Sequence, residues 1–129
     1  YGRSDAEKVE YVHGYILGNI TYTSLYRNFS HEIYGVLVNH VGVCEGIAKA
    51  VSYLLGRMGG DCITVECVPD AGNVSHCWNI ITLNGRSLHY DMTFDLTSGE
   101  KNCHRYFGIT DEVFFADHRP SVFKIPECV

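Results

Sequence analysis

The dipeptide Asn84-Gly85 constrains the fold of this 129-residue chain more than any other feature. It separates two runs rich in β-branched and aromatic residues, 76–83 and 86–94. Between such runs Asn-Gly selects a two-residue hairpin turn, because both central positions need a positive φ that asparagine and glycine tolerate best. A two-residue turn also fixes the register. Leu83 faces Arg86, so His76 faces Thr93 and Trp78 faces Asp91. Side chains alternate with a period of two, which puts His76, Trp78, Asp91 and Thr93 on one face of the hairpin. His76 and Asp91 are then diagonal neighbours, about 7 to 8 Å apart at the backbone and within side-chain reach.

Upstream of the hairpin the pattern is helical. Ser4 with Glu7 forms a capping box, and Val9, Val12, Ile16 and Ile20 recur at helical spacing. A helix is therefore expected over 4–18, ended by Gly18-Asn19. A shorter one is expected over 31–39, capped by Ser30. A third starts near Val43 and places Cys44, Ala48, Val51 and Leu55 on one stripe, with Gly56, Gly59 and Gly60 closing it. Cys44 thus points into the protein from the first turn. Beyond Gly60 the pattern changes to strands: Ile63 to Val68, stopped by Pro69, then the hairpin, then a short segment at 106–109. Thr110 is placed to cap a small helix over 111–115. Helices preceding an antiparallel sheet imply an α+β fold in a single domain spanning 1–129.

Charge and cysteine usage narrow the function. The net charge of −5, with ten scattered Lys and Arg, gives no basic patch for nucleic acid or an anionic membrane. No apolar run approaches the roughly 18 residues a membrane-spanning helix needs, so no membrane insertion is expected. The chain starts with Tyr1, not Met, and is expected to be excised from a longer protein. Its six cysteines, at 44, 62, 67, 77, 103 and 128, make no C-x-x-C pair, and a mostly reduced set is expected. A metal set drawn from Cys62, Cys67, His76, Cys77, Cys103 and His104 lacks the paired short loops of structural zinc sites. No metal and no cofactor is expected on that basis. His89, His104 and His118 read as surface or packing residues.

A cysteine at a helix start, a strand histidine and an aspartate can each be structural: a small buried hydrophobe, a satisfied core group, a turn carboxylate. Together, Cys44, His76 and Asp91 supply nucleophile, base and orienter for acyl transfer by a thiol. The hairpin face with His76 is expected to pack on the helix stripe with Cys44. The Cys44 N–H is a natural oxyanion donor. Trp78 reads as core or as a wall of the site, and Glu45 as a helix-terminal charge without chemistry.

The segments Val41-Gly42-Val43-Cys44-Glu45-Gly46-Ile47-Ala48, His76-Cys77-Trp78-Asn79 and Tyr90-Asp91-Met92-Thr93-Phe94-Asp95 resemble the three signature blocks of the transglutaminase-like superfamily. The likeness is greatest to its bacterial branch of cysteine proteases. Tyr106-Phe107 followed by Thr110-Asp111 resembles the segment after the third block, so the similarity runs over about 5–118. The resemblance implies a papain-like core with Cys44, His76 and Asp91 as catalytic triad and a peptide or protein as substrate. Hydrolysis through a thioester is the activity it favours, ahead of transamidation or a non-catalytic peptide-binding role. It further implies a bacterial protein, exported or at the cell surface, with additional domains in the full-length chain. Three positions depart from the pattern: Ile47 for an aromatic, Cys77 for a small residue such as alanine, and Phe94 for tryptophan.

Overall fold

The computed structural model describes residues 4–22, 36–37, 40–67, 76–116, 118 and 125–129. Helix α1 (Asp5–Asn19) opens with the expected capping box: Ser4 Oγ accepts from the Glu7 N–H at 3.2 Å, and the Glu7 carboxylate takes the Ser4 N–H at 3.3 Å. Val9, Val12 and Ile16 form its buried stripe. The helix ends without a glycine cap, since Ile20 turns extended while its N–H still reaches the Ile16 carbonyl at 3.0 Å. Strand β1 (Thr21–Tyr22) then pairs in parallel with β2 (Val41–Gly42). Val36 and Leu37 are helical; the rest of the helix expected over 31–39, its Ser30 cap and Pro69 lie outside the described residues.

Helix α2 (Cys44–Arg57) follows directly, with Val43 as an extended N-cap. Its stripe is buried as the spacing requires: Ala48, Val51 and Leu55 are at most 2% exposed. Gly59, at φ +79°, lets the chain leave the helix, and the Gly60 N–H closes back on the Leu55 carbonyl at 2.7 Å.

The main sheet has the order β3-β4-β5-β6, with β3 at Asp61–Cys67, β4 at His76–Leu83, β5 at Arg86–Tyr90 and β6 at Phe107–Ile109. All its pairings are antiparallel. Asn84 and Gly85 have φ of 53° and 78°, and the register runs from Leu83↔Arg86 to Asn79↔Tyr90 as the turn dictates.

Two expectations need correcting. The second hairpin strand stops at Tyr90 instead of continuing to 94, so the Trp78–Asp91 and His76–Thr93 pairs do not form. Asp91 becomes the N-cap of α3 (Met92–Thr97), its Oδ1 accepting from the Phe94 N–H at 3.0 Å. A short aspartate at a helix start satisfies an orphan amide that a strand would leave to its partner. Its own N–H goes to the Tyr106 carbonyl at 2.8 Å. The second correction concerns faces. Asn79 donates to the Ala48 carbonyl at 3.0 Å and Ile81 joins the core of α1 and α2, so the β4 face on α2 is that of Cys77, Asn79 and Ile81. Trp78 and Ile80 cover the opposite side, where they pack with Val65, Phe114 and Cys128. The last element among the described residues is α4 (Asp111–Phe114), one residue shorter than expected, with Thr110 in N-cap position but making no side-chain cap bond.

Candidate active site

Cys44 is the first residue of α2, where backbone N–H groups have no intrahelical acceptor. Its thiol is hydrogen-bonded to Cys77 and to His76. Strand alternation explains the first contact, since Cys77 lies on the β4 face that meets α2. The bond from the Cys77 thiol is the main reason the Cys44 pKa falls to about 4. Burial opposes the fall, and the hydrogen bond and charge of His76 add to it.

The His76 imidazole begins β4 and has two partners. Its Nε2 lies 2.6 Å from Asp91 Oδ2, and it is hydrogen-bonded to Cys44 as well. Burial disfavours the imidazolium, but Asp91 and Cys44 outweigh it and raise the pKa to about 9. Between about 4 and about 9 the pair is therefore thiolate and imidazolium, titrating as one coupled unit. The ring of Phe94 lies 4.7 Å from that of His76 and flanks it.

Asp91 is fully buried. Burial alone would raise its pKa; the hydrogen bonds from His118, then from His76 and from the Phe94 N–H, hold it below the usual carboxylate range. The His118 bond is new. His118 Nε2 lies 2.8 Å from the same Oδ2 that takes His76, and its ring stacks on Phe114 at 3.7 Å. No motif marks His118 in the sequence, because it acts across 27 positions on Asp91. The only local trace is its spacing from Phe114, whose carbonyl accepts the His118 N–H at 3.1 Å.

Cys44, His76 and Asp91 thus come together, although not by the route the hairpin suggested. Asp91 reaches His76 from a helix cap, and His76 has the strand parity of Trp78, not that of the face on α2. Trp78 is core, 1% exposed, with its indole N–H donated to His89 Nδ1 at 3.1 Å. Glu45 pairs with Lys49 at 2.8 Å. Cys44, Cys62, Cys77, Cys103 and Cys128 form no disulfide. Cys62, Cys77 and Cys103 enter none of the ligating clusters among the described residues.

The family model of the transglutaminase-like superfamily matches residues 2–92, a span that contains Cys44, His76 and Asp91. The chain belongs to that superfamily. Two solved structures share the fold. One, described as a TGase, has a TM-score of 0.61 at 18% identity, over 77% of this chain and 28% of its own. The other, a putative cysteine protease from Cytophaga hutchinsonii, has a TM-score of 0.58 at 18% identity, over 68% of this chain and 31% of its own. This chain therefore spans less than a third of either. No curated protein sequence matches it.

Proposed function

We propose that this transglutaminase-like chain is a thiol enzyme that hydrolyses amide bonds of a peptide or protein, with Cys44 as nucleophile, His76 as acid and base, and Asp91 as orienter. One observation carries the proposal: the His76 ring is held between the buried Asp91 carboxylate, at 2.6 Å, and a Cys44 thiol at a helix start. Asp91 occupies Nε2, so Nδ1 is the ring nitrogen left to serve the sulfur and the substrate.

The steps follow from those positions. The Cys44 thiolate attacks the carbonyl carbon, and the oxyanion that forms meets the Cys44 N–H. The imidazolium gives its Nδ1 proton to the leaving amine, the C–N bond breaks, and a thioester remains. Neutral His76 then takes a proton from water as that water attacks the thioester, and the thiolate departs. Asp91 keeps the ring in place throughout and stabilises its charged form. The His76 side chain is 20% exposed, which supports water as the acceptor.

The test is hydrolysis of a denatured protein or a peptide library by the intact protein, with a labelled primary amine present or absent. New amino termini, lost in Cys44→Ser and His76→Ala, are expected. Amine incorporation without cleavage would make the enzyme a transamidase. Binding without either product would make it a non-catalytic domain.

A further inference from the structure

Three clusters of ligating side chains occur among the described residues: His76 with Asp91 and His118, His89 with Asp111 and Cys128, and Glu10 with His13 and His104. In each, one donor atom per residue lies within 4.8 Å of the others. Proton placement separates them. In the first, both imidazoles turn Nε2 onto Asp91 Oδ2, at 2.6 and 2.8 Å, and those nitrogens are engaged. In the second, the Trp78 indole donates to His89 Nδ1 at 3.1 Å, so the ring proton sits on Nε2 and goes to Asp111 Oδ1 at 2.6 Å. No lone pair is left on that ring, and burial pushes the Cys128 thiol up to about 11.

The third cluster is not closed in this way. His104 Nδ1 lies 2.7 Å from the Asn102 carbonyl and can only donate to it, so Nε2 is the ring nitrogen turned towards the cluster. That nitrogen faces the Glu10 carboxylate at 3.1 Å. In the absence of metal a ring proton joins the two as an ion pair, and a bound metal ion would take that proton's place. His13, 1% exposed, gives its Nε2 proton to Asp95 Oδ2 at 3.1 Å, which leaves its lone pair on Nδ1. Asp95 is fully buried and held in turn by the Tyr106 N–H at 2.8 Å and the Cys103 thiol at 3.6 Å. One imidazole is thus fixed by a carboxylate and the other by a backbone carbonyl. Metal-binding histidines are held in the same two ways.

We propose that Glu10, His13 and His104 bind one divalent transition-metal ion of the zinc type, with Asp95 and the Asn102 carbonyl orienting the two imidazoles. Two imidazoles and a carboxylate form a donor set that zinc accepts. Calcium and magnesium prefer oxygen throughout and are disfavoured. Glu10 and His104 are exposed, so a further coordination position faces water. The site joins α1 to the loop after α3, and Asp95 lies one turn beyond Asp91 on that helix. Bound metal therefore braces α1 against the helix whose cap holds His76. A proton is the other cation that fits the gap, and titration with metal separates the two.

Reduced Cys44→Ser protein, which lacks the reactive thiolate, is titrated with Zn²⁺ alone by calorimetry and with Co²⁺ by visible absorption. One saturable site in the micromolar range or tighter is expected, with cobalt bands and a rise in Tm. His104→Ala and Glu10→Gln change exposed side chains and should fold; each is expected to weaken zinc binding at least tenfold, as loss of a ligand requires. Cys128→Ser should leave it unchanged. Absence of saturable binding below about 100 µM, equal affinity in His104→Ala, or an equal Tm rise with Ca²⁺ would overturn the proposal.

Discussion

Cys44 should react as a thiolate at pH 5, where Cys62 and Cys128 stay protonated. Its pKa lies at about 4, while burial pushes Cys62 and Cys128 up to about 11. At pH 5 Cys44 is then roughly nine-tenths ionised, and Cys62 about one part in 10⁶. Ionisation is not the whole rate, because a less basic thiolate is a weaker nucleophile. With a Brønsted slope of about 0.4 to 0.5, a gap of about seven pH units (11 − 4) costs Cys44 roughly 10³ in intrinsic reactivity. The net preference for Cys44 over Cys62 is roughly 10³-fold at pH 5, and it shrinks about tenfold per pH unit until the order inverts near pH 8. The assay is timed reaction with a small neutral disulfide from pH 4.5 to 9, quenched and resolved peptide by peptide in a mass spectrometer. The Cys44 rate should level off just above its pKa and stay flat to about pH 9, where His76 gives up its proton. Cys77→Ala removes the first cause of the depression and should move the acid edge upward. A Cys44 rate that climbs about tenfold per unit from pH 5 to 8, like an ordinary thiol, would refute the reasoning.

Four further outcomes are expected. The kcat/KM profile for hydrolysis should rise as Cys44 loses its proton through about 4 and fall as His76 loses its proton through about 9. Asp91→Asn keeps a good helix cap but removes the charge that favours the imidazolium, so the alkaline edge should move down towards an ordinary histidine value of about 6.5. His118→Gln removes one of the two imidazoles on Asp91 Oδ2; a hydrogen bond to a charged group is worth about 1.5 to 3 kcal/mol, which predicts a loss in kcat/KM of roughly 10- to 100-fold by steady-state kinetics. Asn79 donates to the Ala48 carbonyl, Ser52 Oγ and the Ile63 carbonyl at 3.0, 3.1 and 3.3 Å. Asn79→Ala should therefore cost about 1 to 3 kcal/mol in urea unfolding and leave the flat pH range of Cys44 labelling in place.

What the sequence revealed and what it hid have physical reasons. The Asn84-Gly85 turn, the Ser4-Glu7 box and the α2 stripe are local signals, and each formed at the expected residues. The end of β5 was hidden, because Tyr90-Asp91-Met92-Thr93 alternates like a strand. Asp91 turns it into a helix cap, with its N–H held by Tyr106 from a distant segment. The face of β4 on α2 was hidden as well. Both sides of that strand are buried, Cys77 and Ile81 on one and Trp78 and Ile80 on the other, so alternation of polarity made no choice. His118 and the meeting of Glu10 with His104 depend on contacts between segments far apart in the chain. Only the i, i+3 spacing of Glu10 and His13 on α1 was open to view.

The central claim is covalent chemistry at Cys44, and trapping the acyl-enzyme tests it most directly. The protein is mixed with a slowly deacylating ester or amide substrate and quenched in acid within its first turnover. Intact mass and peptide mapping then locate the adduct. The predicted result is one acyl group on the peptide that carries Cys44, absent in Cys44→Ser and strongly reduced in His76→Ala. Turnover with no acyl adduct at Cys44, or undiminished in Cys44→Ser, would contradict the mechanism.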